Sequence, residues 1–246
     1  MTIPPDPELG EEQPFIAHLI ELRSRLLKII AVILVAFVGL APFSDRLYTY
    51  LAGPLLKHLP TGSSMIAIDV ASPFLAPFKL ALVTAIFATM PFSLYQMWAF
   101  VAPGLYRHER RVLLPLLVAS TLLFYLGAAF AYFAVLPLIF KFMTATAPQG
   151  VAVMTDISRY LDFILTLFFA FGVAFEVPIA TILAVWSGMT TRAALADKRP
   201  YVIVAAFVIG MILTPPDVVS QTLLAVPIWL LYELGLLFSL LFRRGS

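Results

Sequence analysis

Glu109 sits among Arg107, Arg110 and Arg111 in GLYRHERR, residues 104–111, a charged knot in a chain that is 61% hydrophobic. Two chemistries suit it. The carboxylate can pair with its own neighbours in a loop that anchors the chain by positive charge. Or it can accept a guest cation, for which guanidinium fits best because a planar fork makes two parallel charge-assisted bonds. Each hydrogen bond to a charged group contributes about 1.5–3 kcal/mol net, enough for one contact to decide specificity. Glu21 offers the same two readings. In HLIELRSRLLK, residues 18–28, a helix brings His18, Glu21, Arg25 and Lys28 toward one face, and Glu21 with Arg25 is the favourable i,i+4 pair.

Glu176 poses a different problem, because it stands inside the apolar run FFAFGVAFEVPIA. A charge at mid-membrane costs roughly 2.5–3.5 kcal/mol on insertion scales. The side chain must therefore face protein, water or a ligand, or give up its charge; a functional role and a hydrogen-bonded packing role both remain open. Asp217 follows Thr214, Pro215 and Pro216 at a tight turn and suits a cap on the helix that starts there. Glu233, in LLYELGLLF, is a solvated surface acid if the last span is short. Enzymatic constellations are absent. His18, His58 and His108 are scattered, no glycine-rich phosphate cradle or nucleophile elbow occurs, and with no cysteine there are no disulfides or thiolate metal sites. No metal or other cofactor is expected, and no enzymatic activity.

The elements that position these acids follow from composition. Only 12% of the 246 residues are charged and the mean hydropathy is +0.97, where a soluble domain is about one quarter charged. This is the profile of an all-α polytopic membrane protein, one integral membrane domain over 1–246 with a flexible acidic extension at 1–14. The net charge of +2 does not suggest nucleic acid, and the N-terminus lacks the basic and apolar regions of a cleavable signal peptide. Six apolar segments stand out, at roughly 26–43, 74–101, 112–140, 161–186, 201–213 and 219–242. Pro77 and Pro91 favour a bent or broken second span. The fifth segment reaches only about 20 Å at about 1.5 Å per residue, against a hydrocarbon core of about 30 Å. Helices five and six are both expected to be short.

Lysine and arginine set the orientation. With both termini inside, eleven basic residues face inward (Arg23, Arg25, Lys28, Arg107, Arg110, Arg111, Arg192, Lys198, Arg199, Arg243, Arg244) and five outward (Arg46, Lys57, Lys79, Lys141, Arg159). Both termini are thus expected in the cytoplasm, with Glu21 and Glu109 on that side. The outer connection at 44–73 reads as a short interfacial helix before a PTGSS turn, and the one at 142–160 as irregular.

Four stretches, HLIELRSRLL, FVAPGLYRHERR, FGVAFEVP and MILTPPDVVSQTLLAVPIWLLYELG, occur in order over nearly the whole chain and resemble the TatC family. TatC is the multispanning receptor of the twin-arginine protein translocase. The resemblance implies a six-helix concave bundle that binds twin-arginine signal peptides of folded cargo at its cytoplasmic face and scaffolds the translocase, with transport driven by the proton gradient. It implies that Glu21 and Glu109 meet the arginine pair, with Phe100 and Arg23 shaping the same surface. Glu176 matches the polar position of span four, and Asp217 the acid of the outer turn. Met211 and Ile212 fall where span five meets the single-span partners TatA and TatB, with Gln221 beside them. Self-association, contact with membrane lipids and a bacterial or archaeal plasma membrane are expected. The positive field around Glu109 should penalise most cations, leaving a well-aligned guanidinium favoured. A proton-coupled secondary transporter using Glu176, and a lipid-acting membrane transferase using Glu109, are the readings from other classes.

Overall fold

The structure, a computed structural model, describes residues 9–48, 65–101, 110–146, 155–213 and 218–240. Helix α1 (Leu9–Leu40) passes through a 3-10 turn at Ala41–Phe43. A two-residue strand β1 (Met65–Ile66) precedes α2 (Ser72–Ala88) and α3 (Met90–Val101). Then come α4 (Arg110–Phe130), a π-helical stretch at Ala131–Val135 and α5 (Leu136–Thr146). A second short strand β2 (Thr155–Asp156) leads into α6 (Ile157–Ala174) and α7 (Val177–Trp186). Finally α8 (Arg192–Ala196), α9 (Arg199–Leu213) and α10 (Val218–Phe238) complete the described chain.

Among the described residues, four stretches are long and apolar enough to cross a membrane: Ile16–Tyr48, Leu114–Phe142, Ile157–Trp186 and Gln221–Phe238. The pair α2–α3 makes a fifth, bent by 54°. Its break lies where Pro91 was expected to produce one. Pro91 has no N–H, so the carbonyl of Phe87 four residues back loses its helical donor; the Tyr125 hydroxyl donates to that carbonyl instead, at 2.7 Å. The sixth apolar helix is α9. Its 15 residues extend about 22 Å, short of the hydrocarbon thickness. Shortness does not extend to α10, whose 21 residues reach about 31 Å. Pro227 within α10 bounds neither end of it, so the proline shortens nothing. Helix α1 already begins at Leu9, inside the acidic segment expected to be a flexible extension.

The chain alternates in direction, so the start of α1, the end of α3, the α7–α9 connection and the end of α10 lie at one end of the bundle. At the other end β1 and β2 pair in parallel, Met65 with Thr155 and Ile66 with Asp156. Asp156 fastens this end. As N-cap of α6 it accepts from the amides of Ser158 and Arg159, and it also accepts from Ile68 N at 3.0 Å. These amides hold its carboxyl below the usual carboxylate range. The sequence reading of the outer connections contained no such pairing, and most of the expected interfacial helix, residues 49–64, lies outside the described residues.

The core runs through spans three, four and six, where Val135, Ile139, Ile164, Leu167, Phe171, Leu224 and Ile228 interlock. Helices α4 and α6 approach closely because Gly127 faces Phe171: a Cβ there would lie 2.9 Å from the Phe171 carbonyl carbon. Small residues at such crossings let backbones meet where lipid offers no hydrophobic push. Helix α1, by contrast, leans mainly on α2 and α3 among the described residues and leaves many of its apolar side chains exposed, Leu26, Leu34, Val35 and Val38 among them.

Candidate functional site

At the bundle end where α1 starts, two helices bring five of its polar and aromatic side chains together. Helix α1 presents His18, Glu21 and Arg25 on successive turns, as their i,i+3 and i,i+4 spacing requires. Helix α3 supplies Gln96 and Phe100 from one face. The Phe100 ring stacks on His18 with centroids 4.2 Å apart and planes 14° from parallel. Arg25 donates to Glu21 Oε1 twice, from Nε at 2.9 Å and from Nη2 at 2.7 Å, and its Nη1 donates to Gln96 Oε1 at 3.1 Å. The Glu21 side chain is 42% exposed and that of Arg25 23%. This is a carboxylate that holds a guanidinium at a wet surface. Arg23 is exposed on the same helix. Two of the expected residues lie outside the described ones: Glu109, in the connection between α3 and α4, and Asp217, in the connection between α9 and α10. Gln96 was not singled out in the sequence; its signal was its place one turn before Phe100.

A second polar centre lies within the bundle. The chain breaks between α6 and α7, because Pro178 cannot donate to the carbonyl of Ala174, and Glu176 sits at this break as the residue before α7. Its side chain is only 7% exposed. Trp98 Nε1 donates to Ser120 Oγ at 2.9 Å, and Ser120 Oγ donates to Glu176 Oε2 at 2.5 Å. A hydroxyl has one proton to give and lone pairs to receive, so the relay has one direction, from α3 through α4 to the acid. Leu94, Phe124, Ile179 and Leu183 wall it off. Glu176 Oε1 is buried and without a hydrogen-bond partner among the described residues. Glu176 thus faces protein, one of the expected alternatives. Trp98 and Ser120 were missed. A buried indole N–H needs an acceptor, which pointed to some partner for Trp98 but not to which.

Along α9 and α10 the helices pack tightly at Gly210, whose added Cβ would stand 3.2 Å from Gln221 O. Met211 and Ile212 remain 55% and 74% exposed at the end of α9, and Gln221 is half-buried beside Gly210. The other end of this pair is clamped. Arg199 donates from Nε to Glu233 Oε1 at 2.6 Å and from Nη2 to Oε2 at 2.9 Å. Glu233 is therefore paired rather than merely solvated: α10 is long enough to bring it level with the start of α9. Tyr232 OH and Arg192 Nε donate to the carbonyls of Leu195 and Leu236, which tie α8 to α10. Among the described residues, no group of three or more His, Asp or Glu could hold a metal ion.

Comparison with known proteins extends these observations. The family described as Sec-independent protein translocase protein (TatC) matches residues 17–227. A protein of Azotobacter chroococcum mcd 1, named Sec-independent protein translocase protein TatC, is 56% identical over 244 residues, covering 99% of this chain and 95% of that one. The protein of the same name from Haemophilus influenzae is 58% identical over 231 residues, 94% of this chain and 90% of its own length. A crystal structure titled as the twin arginine translocase receptor TatC superposes with a TM-score of 0.82 at 40% identity, over 92% of this chain and all of that one.

Proposed function

Because the chain belongs to the TatC family and is a membrane-embedded, non-enzymatic component of the Sec-independent protein translocase, we propose that it is the subunit that reads paired arginines in the signal peptides of folded cargo. The observation that carries this reading is Glu21 holding both Nε and Nη2 of a guanidinium at a half-exposed surface, beside the stacked His18 and Phe100. An arginine of a guest peptide needs the same bonds, and a planar guanidinium gains more from such a carboxylate than an ammonium does. Glu109, the acid of the connection that follows α3 at this end, meets the second arginine. Phe100 and Arg23 shape the surface, and both termini face the cytoplasm, in line with the eleven-to-five distribution of basic residues.

The remaining steps rest on the same reading. The apolar part of the signal lies along the bilayer-facing side of the bundle toward Glu176, and the exposed edge of Met211, Ile212 and Gln221 takes the single-span subunits TatA and TatB. The short α9 thins the bilayer at that edge. Asp217 belongs to the opposite turn, and the proton gradient supplies the energy. Transport of a small solute by way of Glu176 draws on no further observation.

Photocrosslinking tests the central claim. A photoreactive side chain at position 22 or 108, beside the acids and with both left in place, should label a signal peptide with paired arginines and fail to label one with paired lysines. Equal labelling of both peptides, together with unchanged cargo export in the E21Q/E109Q double variant, refutes it.

A further inference from the structure

We propose that Arg25 is a built-in competitor for the guest arginine: it occupies Glu21 in the unliganded chain and must be displaced before a signal peptide is held. The inference rests on the reading of Glu21 above. Three observations carry it. Arg25 already makes the two bonds to Glu21 that a guest guanidinium would make, at 2.9 and 2.7 Å. Both fall on Oε1, so an arriving arginine can first dock on Oε2 of a carboxylate that is 42% exposed. And Arg25 has a second acceptor, Gln96 Oε1 on α3 at 3.1 Å, which keeps the displaced guanidinium bonded rather than stranded.

Exchange is feasible because the incumbent contact is weak. Half-exposed i,i+4 ion pairs are among the least stabilising charge contacts in proteins. A competitor of that strength lowers the apparent affinity of every guest by a few-fold. Peptides that grip Glu21 with one bond then fall below the working range, while those that use a full fork stay within it. Arg25 thus sets the threshold for admission, whereas Glu21 sets the preference.

The test measures binding of a fluorescent signal peptide with paired arginines to the purified full chain in nanodiscs. R25Q should tighten binding about two- to sixfold, the range that follows from removing a competitor of this strength. The same substitution added to E21Q should leave the dissociation constant unchanged, since there is no longer a carboxylate to contest. R25K keeps the charge but loses the fork, so it should tighten binding by less than R25Q. It serves in place of R25Q if the glutamine variant fails to fold. Unchanged or weaker binding in R25Q, or in R25K where it stands in, overturns the proposal. So does equal tightening with and without Glu21, which would trace the effect to bulk charge. If E21Q itself binds like the unaltered chain, the reading of Glu21 fails instead, and this is visible without any change at Arg25.

Discussion

Replacing Ser120 by alanine removes one oxygen atom from a site with no solvent exposure, and with it two hydrogen bonds. The change in volume is negligible, so the cost is polar. Side-chain hydrogen bonds inside membrane proteins average about 0.6 kcal/mol in double-mutant cycles, which gives a floor of about 1.2 kcal/mol for the two. The variant also orphans what remains. Trp98 Nε1 and Glu176 Oε2 lose their partner together, and Oε1 already has none among the described residues. A buried donor or acceptor left alone costs about 1–3 kcal/mol, more if charged. S120A should therefore destabilise by about 2–4 kcal/mol. W98F is the control. It removes the indole donor but leaves Ser120 bonded to Glu176; to the about 0.6–1 kcal/mol of the one bond it adds a cavity cost, because Trp98 is buried. Equilibrium unfolding of the purified protein in mixed micelles with increasing denaturing detergent reads both values. If S120A costs less than about 1 kcal/mol, or its loss simply adds to that of W98F in the double variant, Ser120 does not bridge the tryptophan and the acid, and the relay described above is wrong.

Two further predictions concern the frame. G127A forces a methyl group to within 2.9 Å of the Phe171 carbonyl carbon, and should destabilise by about 1–3 kcal/mol as overpacked interiors do; G210A, with 3.2 Å to Gln221 O, should cost less in the same unfolding assay. Asp156 has a lowered pKa, so its contribution to stability is complete above its ordinary value near 3.8 and is lost as the pH falls through the lower folded-state value. The unaltered chain should lose stability over that acid window. D156N should be less stable at neutral pH and show less of that acid loss, measured by thermal unfolding as a function of pH.

How far the sequence reached depended on whether a feature is local. Apolar runs announce themselves one at a time, so all six segments were legible, as was the bend at Pro91, whose missing N–H acts within its own helix. The short α9 was legible from the length of its apolar run, 201–213. The sixth segment was legible at 219–242, close to the observed Val218–Phe238; only the expectation that it would be short failed, since prolines such as Pro227 persist within membrane helices when neighbours accommodate the freed carbonyl. Partnerships across the chain left no such mark. Nothing in VLLPLLVASTLLFYLG says that Ser120 answers Glu176, 56 residues on. Nor do two-residue strands at Met65 and Thr155 rise above the surrounding irregular sequence. Arg25 was legible as a partner of Glu21 from spacing alone, but its third bond, to Gln96, needed the fold.

The two polar centres differ in a way that suits different tasks. Glu176 is 7% exposed and held by a serine that is itself held by a tryptophan. Displacing its partner strands two buried groups, so this contact resists exchange and keeps α3, α4 and the α6–α7 break in register. Glu21 is open to solvent, and its bond to Arg25 is one that water can replace at little cost. A carboxylate meant to exchange one guanidinium for another needs that second kind of setting. Moved to the depth of Glu176, it would bind its own arginine too firmly to release it. On the proposed reading, recognition belongs at the rim because only there is the resting ion pair weak enough to be given up, and the rigid relay below keeps α3, which carries Gln96 and Phe100, in place while the exchange happens.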